Sequence, residues 1–131
     1  MDSTIRIKDI PQTETYLFAK KVDYQDSTLI GIPSYKVVKF VITNVAIYFK
    51  IANVLIDLSG TLRERIDEIS TLKIKNHLLN KNLKSLTITT PFGKHTINLK
   101  AQDYQEVTKI LLQINPAIVI EDLSGSKSII K

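Results

Sequence analysis

Residues 39–50 read KFVITNVAIYFK, ten uncharged positions held between two lysines. Such a run fits three structures: a membrane insertion, an aggregation-prone strand, or two strands folded back at Thr43-Asn44. A bilayer crossing needs about twenty predominantly apolar residues, and Lys39, Asn44, Lys50 and Asn53 interrupt the stretch well before that. The spanning reading therefore fails. Val, Ile, Phe and Tyr are strand formers because branched and aromatic side chains pack on a pleated surface. Asn tolerates the left-handed backbone of a tight reversal. In context, SYKVVKFVITNVAIYFKIAN is a hairpin of residues 35–43 and 45–52, apolar on the face that meets a helix. Its two lysines are expected to discourage pairing with the wrong strand.

Upstream, YLFAKKVD at 16–23 suits a first strand, QDSTLIGIPS reads as turn and loop, and residues 1–15 read as a polar arm with little fixed structure. Downstream, VLIDLSGTL at 54–62 joins an apolar run to a Ser-Gly break. In TLRERIDEISTLKIKN, Leu62, Ile66, Ile69 and Leu72 have helical spacing and Thr61 with Glu64 matches a capping box, yet the segment ends in alternation. A turn or short helix to about residue 68, then a strand to about His77, is expected. LKSLTITT and KHTINLK flank the turn Pro91-Phe92-Gly93. The last element is a helix with Asp103 as its cap and Glu106 reaching back. Tyr104, Val107, Ile110, Leu111 and Ile114 share one face, and Asn115-Pro116 is the stop. An edge strand at 117–120 is expected in the tail.

The chain has 131 residues, enough for one domain whose core needs neither disulfide nor metal. The expected organisation is an arm over 1–15, a domain over 16–115 and a tail over 116–131. Absence of cysteine excludes disulfides, thiol redox chemistry and Cys-ligated zinc. The opening MDSTIRIKDIPQTETY lacks the apolar run of a signal peptide, so an unprocessed cytoplasmic protein is expected, with the inner membrane face as the alternative location. The net charge of +5 comes from 15 lysines and three arginines. Lysine is a solvated point charge, whereas arginine's planar fork reads phosphates directionally. From Ile69 to Gln102 there is no Asp or Glu, but there are six lysines, among them Lys73, Lys75, Lys84, Lys94 and Lys100.

Antiparallel strands without βαβ alternation, followed by one amphipathic helix, make a mainly β, α+β domain. The expected form is an antiparallel barrel or pair of orthogonal sheets of about seven strands, capped by the C-terminal helix. VITNVAIYF at 41–49, IDEISTLKIK at 66–75, LKSLTITTPFGKHTINLK at 83–100 and DYQEVTKILLQI at 103–114 resemble successive segments of the bacterial pleckstrin-homology-like domains. Val45-Ala46 stands where a basic pair commonly follows Thr-Asn in that family. The resemblance implies a binding module: such folds accept a peptide as an added strand beside the closing helix, and bacterial relatives can form rings. In phosphoinositide-binding relatives basic residues of the first hairpin hold the head group. Lys20, Lys21, Lys36 and Lys39 are the positions here, with no arginine among them.

Nothing in the sequence assembles a catalytic centre. His77 and His95 have no acid nearby in sequence, the serines lack a nucleophile elbow, and the four glycines are isolated. The sequence reads as non-enzymatic, with no cofactor and no metal. A protein partner or self-association is the first expectation, by strand addition at a sheet edge. An anionic membrane surface is the second, met by an outward stripe of Lys73, Lys75 and His77 with Lys84, Lys94 and Lys100. Nucleic acid is disfavoured, because only Phe92 lies among those lysines to stack on a base.

Overall fold

The structure, a computed structural model, describes residues 5–7, 10–29, 32–51, 61–76 and 82–123. Nine strands among these residues form one mixed sheet: β1 (Ile5–Ile7), β2 (Tyr16–Leu29), β3 (Ile32–Thr43), β4 (Ala46–Ile51), β5 (Thr61–Arg65), β6 (Thr71–Asn76), β7 (Leu83–Thr90), β8 (Gly93–Lys100) and β9 (Val119–Asp122). The helix α1 (Ala101–Ile114) lies between β8 and β9 in the chain. Spatial order is β1-β5-β4-β3-β2-β8-β7-β6-β9. All pairings are antiparallel except β6 with β9, which is parallel.

Several sequence expectations change, among them the turn and loop read at 25–34, of which 25–29 and 32–34 are the paired ends of β2 and β3. The count is nine rather than about seven, because β1 is added beside β5 and β9 beside β6. The sheet is also not a closed barrel: β1 and β9 are its two ends and do not pair with each other. It curls instead around one core, which Phe40, Ile42 and Phe49 enter from one side and Leu72, Ile88 and Ile97 from the other, with Val107 and Leu111 of α1 among them.

The 39–50 stretch is the hairpin expected of it, with Phe40 opposite Phe49 and Ile42 opposite Ile47. It is apolar throughout because both of its faces are covered. Phe40, Ile42, Ile47 and Phe49 enter the main core, while Val41, Ala46 and Tyr48 pack outward against Ile10. Residues 10–15 are therefore built structure, unlike the expected loose arm. Asn44 Oδ1 accepts from Thr15 N at 2.8 Å, and Asn44 N donates to Thr15 O at 3.1 Å. Glu14 accepts from the Thr43 and Tyr48 hydroxyls, both at 2.6 Å. Lys39 and Lys50 face each other across β3 and β4, which are interior strands, so they guard no edge. They stand on the outer face one step past the residues that Ile10 covers.

Residues 61–68 are not a capped helix. Thr61–Arg65 is a strand, Ile66–Glu68 a single 3-10 turn, and β6 then begins at Thr71. Pairing with β4 decides this: Phe49 opposite Leu62 and Ile47 opposite Glu64 put both β5 residues on the core side. The helix stops at Asn115 as expected, but its N-cap is Lys100 and makes no side-chain cap bond. Asp103, expected to cap, instead pairs with Lys20 of β2 at 2.6 Å.

Candidate binding site

Among the described residues β9 is the last strand at its end of the sheet, and a groove lies beside it. After α1, Asn115 pins the chain: its Nδ2 donates to Ile66 O at 2.9 Å and to Ile69 O at 3.2 Å. The tail then runs parallel along β6, with Leu72 opposite Ile120 and Ile74 opposite Asp122. The edge strand expected at 117–120 is thus present, shifted to 119–122, and it covers β6 within the same chain. Ile120 packs on the core and Val119 points to solvent. Between β9 and α1 lies a groove of about 470 Å³, lined by Ile74, Tyr104, Thr108, Leu112, Ile120 and Asp122. The helix lines it because Tyr104, Thr108 and Leu112 recur every four residues, one stripe along its side.

Lys73, Lys75, Lys94 and Lys100 do project from one face of the sheet. Leu72 and Ile74 are buried, which turns Lys73 and Lys75 outward. Across the strands Lys73 faces Thr87 and Thr87 faces Thr96, while Thr89 faces Lys94 and Leu83 faces Lys100. The face is therefore hydroxyls framed by ammonium groups; Thr87 and Thr96 hydrogen-bond each other at 2.9 Å. Glu121 of β9 comes within 3.8 Å of Lys73. Lys84 is not part of this surface. It falls in the register of Leu86 and Ile88, and its Nζ donates to Asn76 Oδ1 at 2.6 Å. His77 lies outside the described residues.

The four basic positions of the first hairpin separate onto two faces. Lys21 and Lys39 are cross-strand neighbours on the outer face. Lys20 turns to Asp103 at the start of α1, and Lys36 sits 6.0 Å above the Tyr24 ring. The four therefore do not converge on one face of the hairpin.

One constellation was not foreseen. His95 shares the core side with Ile97 and Leu99, as its alternation implied, but it has an acid partner 31 residues away. His95 Nε2 and Glu64 Oε2 are hydrogen-bonded at 2.6 Å, with the two side chains only 4% and 1% exposed. The Tyr24 hydroxyl lies 2.7 Å from Nδ1, and Thr90 Oγ1 donates to Glu64 Oε1 at 3.2 Å. Phe49 stacks on the imidazole at 4.8 Å. β5 and β8 are not neighbours in the sheet, so this chain of polar groups crosses the core and ties its two sides together. The bonds offset the cost of burying a carboxylate, which is severe when a charge stays unpaired. Strand parity put Glu64 inward; the distance in sequence hid its partner.

Among the described residues no helix is long and apolar enough to cross a membrane. No family model matches the chain, and no curated protein matches it. Among solved structures it is similar to the hSac2 domain from human phosphoinositide phosphatase Sac2, with a TM-score of 0.62 over 86% of this chain and 79% of that one. The identity is 13%, so the likeness is one of fold.

Proposed function

We propose that this chain is a non-catalytic binding module of the pleckstrin-homology-like kind that takes an extended protein segment as an added strand along β9. The observation that carries this reading is that β9 is the last strand of the sheet among the described residues and lies beside the groove of Ile74, Tyr104, Leu112 and Ile120. Strand addition needs a row of backbone groups for affinity and neighbouring pockets for alternate side chains. An incoming strand with apolar residues at every second position would meet both. The absence of catalysis is part of the same reading: His95 has both ring nitrogens engaged inside the core, away from this groove.

Panning random displayed peptides against the protein tests it. Expected are peptides with alternating apolar residues that lose binding to Leu112→Arg, a change at a half-buried groove position that leaves Val107 and Leu111 in the core. Enriched peptides that bind Leu112→Arg as well as wild type would sink the reading.

A second reading, peripheral attachment to anionic lipid, rests on the common outward register of Lys73, Lys75, Lys94 and Lys100. Each lysine near an anionic bilayer contributes about 1 kcal/mol, screened within a Debye length. The similar fold comes from a phosphoinositide phosphatase, which makes phosphoinositide-containing vesicles the probe to use beside neutral ones. Wild type should float with the anionic vesicles at low salt and a variant with all four lysines changed to Glu should not. Equal flotation of the two proteins, or none by wild type, removes this reading.

A further inference from the structure

After Leu123 the sequence continues SGSKSIIK over 124–131, residues that lie outside the described ones. β9 itself dictates how a strand on its far side would have to pair. Val119 N donates to Ser70 O at 3.0 Å and Leu123 N donates to Ile74 O at 2.7 Å, so the odd-numbered residues turn their backbone groups toward β6. Backbone groups alternate sides along a strand, and Ile120 and Asp122 therefore turn theirs away from β6. Side chains alternate between faces in the same way. Ile120 and Asp122 share the face that lines the groove, while Val119 and Leu123, 61% and 41% exposed, stand on the other.

The sequence that follows suits this edge in one register. Gly-Ser is a signal for a two-residue hairpin, because the first central position of a type II′ turn needs a positive φ, which glycine takes without steric cost. With Gly125-Ser126 at the centre, Ser124 faces Lys127, Leu123 faces Ser128, Asp122 faces Ile129, Glu121 faces Ile130 and Ile120 faces Lys131. The pair flanking a two-residue turn exchanges hydrogen bonds, and bonded and non-bonded pairs alternate from there. The bonded positions are then Ser124, Asp122 and Ile120, the parity that β9 turns away from β6. A loop one residue longer would move them to odd-numbered positions, where Leu123 N already donates to Ile74 O. The side chains agree with the backbone. Ile129 falls on the groove face beside Ile120, and Ile130, opposite Glu121, lies diagonally between the exposed Val119 and Leu123.

We propose that the groove's occupant in the free protein is the chain's own segment 127–131, added to β9 as an antiparallel strand through the Gly125-Ser126 turn, and that a partner strand must displace it. The inference rests on the reading of β9 as a strand-accepting edge and adds its regulation. The groove lining carries one acid and one cation, Asp122 and Lys109, so register rather than charge selects this segment. A competitor tied to the edge by a two-residue turn acts at an effective concentration that a free peptide does not match. The apparent affinity for a partner then falls by the fraction of chains whose edge is uncovered.

NMR of the full chain tests this without any partner. Antiparallel pairing brings the α-protons of non-bonded pairs close together, so α-proton NOEs are expected between Glu121 and Ile130 and between Leu123 and Ser128. They should weaken in Gly125→Val, because a branched residue resists a positive φ. Peptides selected by panning should bind the variant Ile129→Asp with Ile130→Asp roughly tenfold more tightly than wild type, the gain for a segment that covers the edge about nine-tenths of the time. Absence of the NOEs overturns the inference, as does their survival unchanged in Gly125→Val. NOEs that appear only between differently labelled copies in a mixed sample also overturn it, since the strand then comes from a second molecule. Peptides that bind wild type and the double variant equally overturn it while leaving the binding module standing. The NOEs with no peptide bound by either protein uphold the self-covered edge and sink the partner reading instead.

Discussion

The β3–β4 and β7–β8 hairpins occupy the two flanks of one sheet, and they differ in what lies on their outer faces. In β3–β4 the outward residues Val41, Ala46 and Tyr48 are fully buried beneath the segment that carries Ile10 and Glu14. In β7–β8 the outward residues Ser85, Thr87, Thr89, Lys94, Thr96 and Lys100 are partly or fully exposed, and of that face only Asn98, next to β2, is buried. The inner faces are alike, Phe40 and Phe49 on one side, Ile88 and Ile97 on the other. A strand buried on both faces reads as a continuous apolar run, and one buried on a single face alternates. That is the difference between VITNVAIYF and LKSLTITT. The covered flank is buried on both faces, and the bare flank with β9 beside it carries the proposed binding surface.

The same substitution on the two outer faces breaks or confirms this contrast. Val41→Glu puts a carboxylate under the Ile10 segment, against Tyr48 and near Glu14, where the neighbouring cation, Arg63, is already engaged by Glu14 and the Tyr48 hydroxyl. The expected loss is about 3–5 kcal/mol, the scale for an uncompensated buried charge. Thr87→Glu places the same group directly across from Lys73 on the bare face. There the change should stay within about 0.5 kcal/mol. Urea unfolding midpoints of the two variants decide it, and a mild Val41→Glu means that the segment before β2 does not cover the hairpin in solution.

The two flanks were also unequally legible. Alternation located both strands of β7–β8, and the Asn115-Pro116 stop located the end of α1, because these are local signals. Parity in LKSLTITT even held the answer for Lys84: it stands in step with Leu86 and Ile88, so it belongs with the core side and not with Lys73 and Lys75. The two-sided burial of β4 had a signal as well, the absence of alternation in VAIYF, but what covers it is held by Glu14 bonding to Tyr48, 34 residues away. Thr61 and Glu64 matched a helix start, and pairing with β4 overrode that local preference. The Glu64–His95 bond and the Lys20–Asp103 pair arise only when distant elements meet, and no spacing in the chain announces them.

Alkaline pH sharpens the comparison on the covered flank, with the smallest effect. The Tyr48 phenol is pushed above the ordinary tyrosine value by burial and by its hydrogen bond to the Glu14 carboxylate, with Arg63 pulling the other way. Arg63 Nε donates to the same hydroxyl at 3.1 Å, and the guanidinium lies 5.9 Å from the ring. With a raised value in the folded state, the unfolded chain releases this proton first as pH rises. The group's contribution is therefore fully present below about pH 10, the unfolded tyrosine value, and is lost as pH climbs from there through the folded one. Tyr48→Phe removes the bonds to Glu14 and Arg63, and it should cost about 1 kcal/mol at neutral pH, the typical net worth of a buried hydrogen bond. Above pH about 10 that gap between wild type and Tyr48→Phe should narrow, because only wild type has this proton to lose. Unfolding midpoints of both proteins across the alkaline range measure it. A gap that stays constant with pH would show that the Tyr48 hydroxyl reaches water, and with it that the cover over β4 opens while the β7–β8 side holds.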